Sequence, residues 1–203
     1  MKILLCLLCL FFSTHSFSEP FQPGHYYAKD GRKMLGLIKF YRAGYSVFGT
    51  QPSSIQFKSS SKDRPITLTA EGIDAFVIVQ DSFTVATNFE INATWGSYKK
   101  DFVKVLKVGP LCLYQHFSSG SMNGKYWYST DCYVIAEAGK SIFLGLWNLG
   151  KQKEDIAQYL RGKGKVYDKF LNRKMMYAEI PALIDAFNAH ASSFSDEVKT
   201  DGF

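Results

Sequence analysis

The side chains able to do chemistry are few and scattered. Beyond residue 18 there are three histidines, His25, His116 and His190, each in a different predicted element and none paired at metal-ligand spacing. Cys112, Tyr114 and His116 alternate onto one strand face, so a zinc set of His116 with Cys112 and Cys132 is the nearest approach to a metal centre. It lacks a fourth ligand and CxxC pairs, and a packing or surface histidine is the expectation. No GxSxG nucleophile frame occurs, and Gly120-Ser121 lies in a turn-like tract without it. Gly162-Lys163-Gly164-Lys165 has no preceding GxxxxGK[ST] frame and reads as a break between helices. No catalytic residue, metal or cofactor is assigned.

Carboxylates could serve a hydrolase if two converged in a cleft, about 5 to 10 Å apart. Glu71, Asp74, Asp81, Glu90, Asp101, Asp131 and Glu137 are available in the β-rich region. Most border predicted turns, where such residues cap backbone donors, so structural duty is expected of them. Asn92-Ala93-Thr94 has the form of an N-glycosylation acceptor, relevant only in a host that adds such glycans. Tyr126, Trp127, Tyr128 and Tyr133 alternate between the faces of one hairpin, where half could stack on sugar rings or anchor a partner and half pack.

Two cysteines lie outside the leader, Cys112 and Cys132, and both belong to a predicted hairpin. Leu111 to Phe117 and Lys125 to Ala136 are strand-like, and Ser118 to Gly124 is turn chemistry. A turn centred on Met122 would set the two cysteines opposite each other, and a Cys112–Cys132 disulfide is expected over two buried thiols. A shift of register would separate them.

The oxidising address comes from the N terminus. Lys2, the apolar run Ile3 to Phe12, and small residues up to Ser18 have the order of a signal peptide, with cleavage expected between Ser18 and Glu19. The apolar run is shorter than the roughly twenty residues of a membrane-spanning helix, so an integral membrane protein is not expected. Leu precedes both Cys6 and Cys9, which disfavours a lipid-attachment site. The formal charge is +6. Its excess gathers between Lys151 and Lys174, where Lys163, Lys165, Lys169, Arg173 and Lys174 follow a shorter mixed-charge stretch. Such a face can attract anionic lipid or polysaccharide, although a solvated helical face is the ordinary reading, and no nucleic-acid partner is expected.

These residues must be positioned by strands. His25 to Ala28 and Lys33 to Phe40 flank Lys29-Asp30-Gly31-Arg32, a hairpin signal because Asp-Gly supplies positive φ. Further strands are predicted at Tyr45–Phe48, Ser54–Lys58, Ile66–Thr69, Ala75–Gln80, Ser82–Thr87, Phe89–Asn92, Asp101–Val108, Leu111–Phe117, Lys125–Ala136 and Ser141–Trp147. Apolar residues two apart, such as Ile55 and Phe57 or Phe83 and Val85, require one buried sheet face. The period changes after Gly150. Lys153 to Leu160, Val166 to Leu171, and a helix opening near Pro181 with Leu183, Ile184, Phe187 and Ala191 as its stripe predict two or three helices.

The expected fold class is α+β: a mostly antiparallel sheet, barrel-like or sandwich, followed by C-terminal helices from about residue 152. One domain over 19–191 and a polar tail over 192–203 complete the layout. Tyr26 to Gly31 with Gly36 to Phe40, then Ile55 to Lys58, then Leu68 to Phe76, and the ending Lys153 to Leu160 with Ile180 to Asn188, together resemble a family of exported Gram-negative bacterial proteins of unknown function. The resemblance implies location and a β-rich build and carries over no catalytic residue. The leading expectation is a non-enzymatic exported binding module for a glycan, lipid or protein at the envelope or outside the cell. Tyr126, Trp127, Tyr128 and the lysine-rich face are its candidate surfaces. A barrel carrying a small apolar ligand and a hydrolase built on turn carboxylates are the alternatives.

Overall fold

The computed structural model describes residues 20–46, 49–92, 96–122, 126–137, 140–144 and 177–189. Strand β1 (Gln22–Ala28) and β2 (Lys33–Tyr41) form the expected hairpin. Gly31 takes φ of 80°, and its amide donates to Ala28 O at 2.9 Å. The Asp30 carboxylate accepts from the Arg32 amide at 3.1 Å and from Arg32 Nε at 2.6 Å. Those bonds hold its carboxyl below the usual carboxylate range. The turn is thus fixed by its own four residues.

Ten further strands follow: β3 (Ala43–Ser46), β4 (Gly49–Gln51), β5 (Ser54–Lys58), β6 (Ile66–Thr69), β7 (Ile73–Ile78), β8 (Asp81–Asn92), β9 (Gly96–Lys107), β10 (Cys112–Met122), β11 (Tyr126–Glu137) and β12 (Lys140–Leu144). They pair in the order β12-β11-β10-β9-β8-β7-β1-β2-β5-β6, antiparallel throughout. The segments expected at Ser82–Thr87 and Phe89–Asn92 join as the single strand β8.

One exception shapes the sheet. Only Arg42 separates β2 from β3, yet β2 lies between β1 and β5 while β3 pairs in parallel with β10, Ala43 to Tyr45 against Ser118 to Gly120. A continuous run of chain can reach both places only if the intervening strands curl, and the result is a curled half-barrel. Gly24 and Gly36, paired across β1 and β2, allow tight approach on that curve: a Cβ on either would stand 2.2 Å from a backbone oxygen, that of Val77 or Lys58.

Alternation gives the sheet two buried faces over β8 to β10. Phe83, Phe102 and Phe117 point to a core with Tyr26, Ile38, Ile55, Phe57, Ile73 and Phe76, where Phe76 stacks on Phe83 at 4.5 Å and meets Phe102 edge-on at 4.9 Å. The residues between them, Ala86, Val103 and Tyr114, join Ala43 and Val134 in a second core.

A 3-10 turn (Tyr177–Glu179) leads into helix α1, residues 180–189, with Pro181 in its first turn as expected. Ile180, Ile184 and Phe187 are buried. The Asn188 side chain clamps Leu111, its Oδ1 accepting from the Leu111 amide and its Nδ2 donating to the Leu111 carbonyl, both at 2.9 Å. Lys107 and Asp185 add an ion pair at 2.8 Å. Among the described residues this is the one α-helix; Lys153–Leu160 and Val166–Leu171, where further helices are expected, lie outside the described residues. Residues 1–18 and 192–203, where a leader and a tail are expected, lie outside them too.

The β10–β11 hairpin corrects the expected disulfide. Met122 pairs with Tyr126, so the turn centres two residues later than expected, and Cys112 faces Ala136 while Cys132 faces His116. Four residues along a ladder is roughly 13 Å, beyond the Cα separation of about 4.4 to 6.8 Å that a disulfide spans. Cys112 is a free thiol whose Sγ lies 3.5 Å from the Gly109 carbonyl.

Candidate functional site

Strand β10 changes partner along its length. Up to Gln115 it pairs with β9, and from Ser118 it pairs with β3. At such a fork, backbone donors lose their ladder and need other acceptors. Asp101 on β9 supplies them: Oδ1 accepts from the amides of Ser53 and Phe102, each at 2.9 Å, and from the Ser53 hydroxyl. Its Oδ2 lies 2.8 Å from His116 Nε2 on β10, which donates because a carboxylate only accepts. Ser53, Asp101 and His116 are each 0% exposed.

Serine, histidine and aspartate together suggest nucleophilic catalysis, but the order is wrong for it. A hydrolytic triad places the imidazole between the hydroxyl and the carboxylate, so that the ring can take the hydroxyl proton. Here the carboxylate stands in the middle, and burial keeps a substrate from all three. The cluster ties β9, β10 and the β4–β5 connection together. Alternation held a clue, since Asp101 shares the phase of Val103, and His116 that of Tyr114; Ser53, in a connection, carried no such signal.

Other acids of the sheet pair with lysines. Asp74 meets Lys29, Glu71 lies 3.1 Å from Lys100, and Asp81 lies 2.7 Å from Lys104. Among the described residues no three His, Cys, Asp or Glu groups converge to hold a metal. His25 stacks edge-on against Tyr27 at 5.3 Å, and desolvation, then Lys33, lowers its pKa below the ordinary value. Burial, then the Cys112 thiol, pushes the Tyr114 phenol up to about 12.

An open groove of about 320 Å³ lies beside the turn between β7 and β8. Phe40, Phe83 and Ile78 give it an apolar lining, and Gln22, Val79, Gln80 and Asp81 complete it. The Phe40 and Phe83 rings are 5.1 Å apart. Val79 holds φ of 55°, a left-handed conformation that a β-branched residue rarely takes, and is 63% exposed. Its amide donates to Pro23 O at 3.0 Å, which fastens the turn to β1. A groove of this size and mixed lining meets the lower range of small-molecule sites, roughly 300 to 1,000 Å³.

The expected surfaces are placed only in part. Tyr126, Trp127 and Tyr128 open β11, opposite Met122, Ser121 and Gly120, and their side chains lie outside the described residues. Lys163, Lys165, Lys169, Arg173, Lys174 and His190 also lie outside them. No helix among the described residues is long and apolar enough to cross a membrane. No protein-family model matches the chain, and neither a curated protein nor a solved structure is found to be similar to it.

Proposed function

We propose that the chain is an exported, non-enzymatic binding module and that the groove beside Val79 is its ligand surface. The observation that carries this reading is the groove itself: aromatic lining, polar groups beside it, and a strained exposed valine held at the turn. Strain kept at a surface turn commonly marks a functional position. The sealed Asp101 cluster favours a structural use of the chain's most reactive-looking residues. The phenylalanine-filled core argues against an enclosed apolar carrier and leaves the ligand an open seat.

Two measurements test the proposal. Expressed with its leader in a Gram-negative host, the chain is expected outside the cytoplasm with Glu19 as its new N terminus, read by intact mass; retention of residues 1–18 in the cytoplasm would count against export. A fragment screen followed by methyl NMR should move the Ile78 and Val79 signals, and Val79→Lys should weaken those hits. Hits gathering on another surface would sink the assignment of the groove.

A further inference from the structure

We infer that the groove selects an organic cation: a ligand with a compact apolar or aromatic body and an ammonium head. This rests on the groove being a ligand surface, and the reason for the charge preference is separate. The formally charged side chain in the lining is the Asp81 carboxylate, 53% exposed. Lys104 sits 2.7 Å from its Oδ1. Beside that carboxylate the Phe40 and Phe83 rings stand 5.1 Å apart. Phe83 is 6% exposed and stacked on Phe76, so the half-buried Phe40 supplies the accessible ring; an aromatic face carries negative potential, and an ammonium placed over it near a carboxylate gains from both. The apolar part of the ligand would rest on Ile78 and the rings, while Gln22 and Gln80 offer amides to any hydroxyl or carbonyl it carries. An anion would meet the Asp81 carboxylate and the Phe40 ring, with Lys104 engaged by that carboxylate. Lys104 is the built-in competitor, because its ammonium already occupies one side of the carboxylate.

The test uses the full chain and three probes of similar size: benzyltrimethylammonium, benzyl alcohol and phenylacetate. Methyl NMR of Ile78 and Val79 at low ionic strength is expected to show saturable shifts with benzyltrimethylammonium at the lowest concentration of the three. Asp81→Asn should weaken that binding roughly threefold to tenfold, and Lys104→Gln should strengthen it by a similar factor, the size of one partly screened charge contact. Asp81 is exposed and Lys104 half-buried, and unchanged signals from the Phe76 core would show that each variant is folded. Equal binding of benzyl alcohol, or no response to Asp81→Asn, would overturn the cation preference and leave the groove as a site. Silence with all three probes would overturn both readings. Stronger binding of phenylacetate would reverse the charge assignment.

Discussion

At the residue scale, Asp101 carries the largest expected energetic consequence. Its carboxylate satisfies two amides, a hydroxyl and an imidazole in a place closed to water. Removing the shared acceptor leaves four buried donors without a partner or solvent, at about 1 to 3 kcal/mol each, so a total of at least about 3 to 5 kcal/mol is expected. Asp101→Ala should therefore cost at least that much by urea unfolding. Ser53→Ala keeps the backbone bond to Asp101 and should cost only about 1 kcal/mol. Equal costs would show that the carboxylate does not organise the cluster. His25 gives a prediction in pH. Its folded pKa is lowered, so the folded chain binds fewer protons at this ring than the unfolded chain does. Stability from this residue is complete above the unfolded value of about 6.5 and declines as the pH falls through that value towards the folded one. An NMR titration should place His25 below its ordinary pKa, and Lys33→Gln should raise it without fully restoring it, because desolvation is the larger cause. A midpoint unmoved by the substitution would remove Lys33 from the account.

At the element scale, Val79 is the position where local preference and structure disagree. Asparagine tolerates the left-handed region that valine resists, a difference of roughly 1 to 2 kcal/mol. Val79→Asn should therefore raise Tm by about 2 to 8 °C; an unchanged or lower Tm would mean that packing offsets the strain. The cysteines give a second check. With Cys112 four residues from the position opposite Cys132, iodoacetamide should label Cys112 without reductant, read by peptide mass. Failure to label it until reduction would restore the bonded hairpin. These elements also show what the sequence conveys. Ser54–Lys58 and Ile66–Thr69 were legible to the residue, because alternation is bounded there by turn-forming stretches. The β1–β2 hairpin was legible through Asp30-Gly31. The β10–β11 register was not, since Ser118 to Gly124 contains several turn-forming residues and only cross-strand packing chooses among them. Strand β4 was missed: three residues are too few to show a period.

At the scale of the whole molecule, distant segments hold the sheet in shape. Helix α1 docks on Leu111 from a separation of 77 residues, and Ile180, Ile184 and Phe187 each bury apolar area worth about 2 kcal/mol. Ending the chain at residue 176 should lower the urea midpoint strongly and increase binding of a hydrophobic dye; an unchanged midpoint would mean that the helix adds nothing to the sheet. Neither this docking nor the candidate site was legible in advance. The groove joins the start of β1, the end of β2 and the β7–β8 turn, and the buried cluster joins Ser53 to His116 across three parts of the sheet. Such meetings follow from strand order and curl, which periodicity within a strand does not encode.

The parallel contact between β3 and β10 also sets an order in time. Residues 44–46 pair locally with β4, but the other edge of β3 has no partner until Ser118 to Gly120 exist beside it, so a chain delivered from its N terminus passes through a long interval with that seam open. The last step of closing the curl waits on the middle of the polypeptide, and contacts of such span make folding slow. For a chain threaded across a membrane, the exposed seam would be the segment most in need of a chaperone.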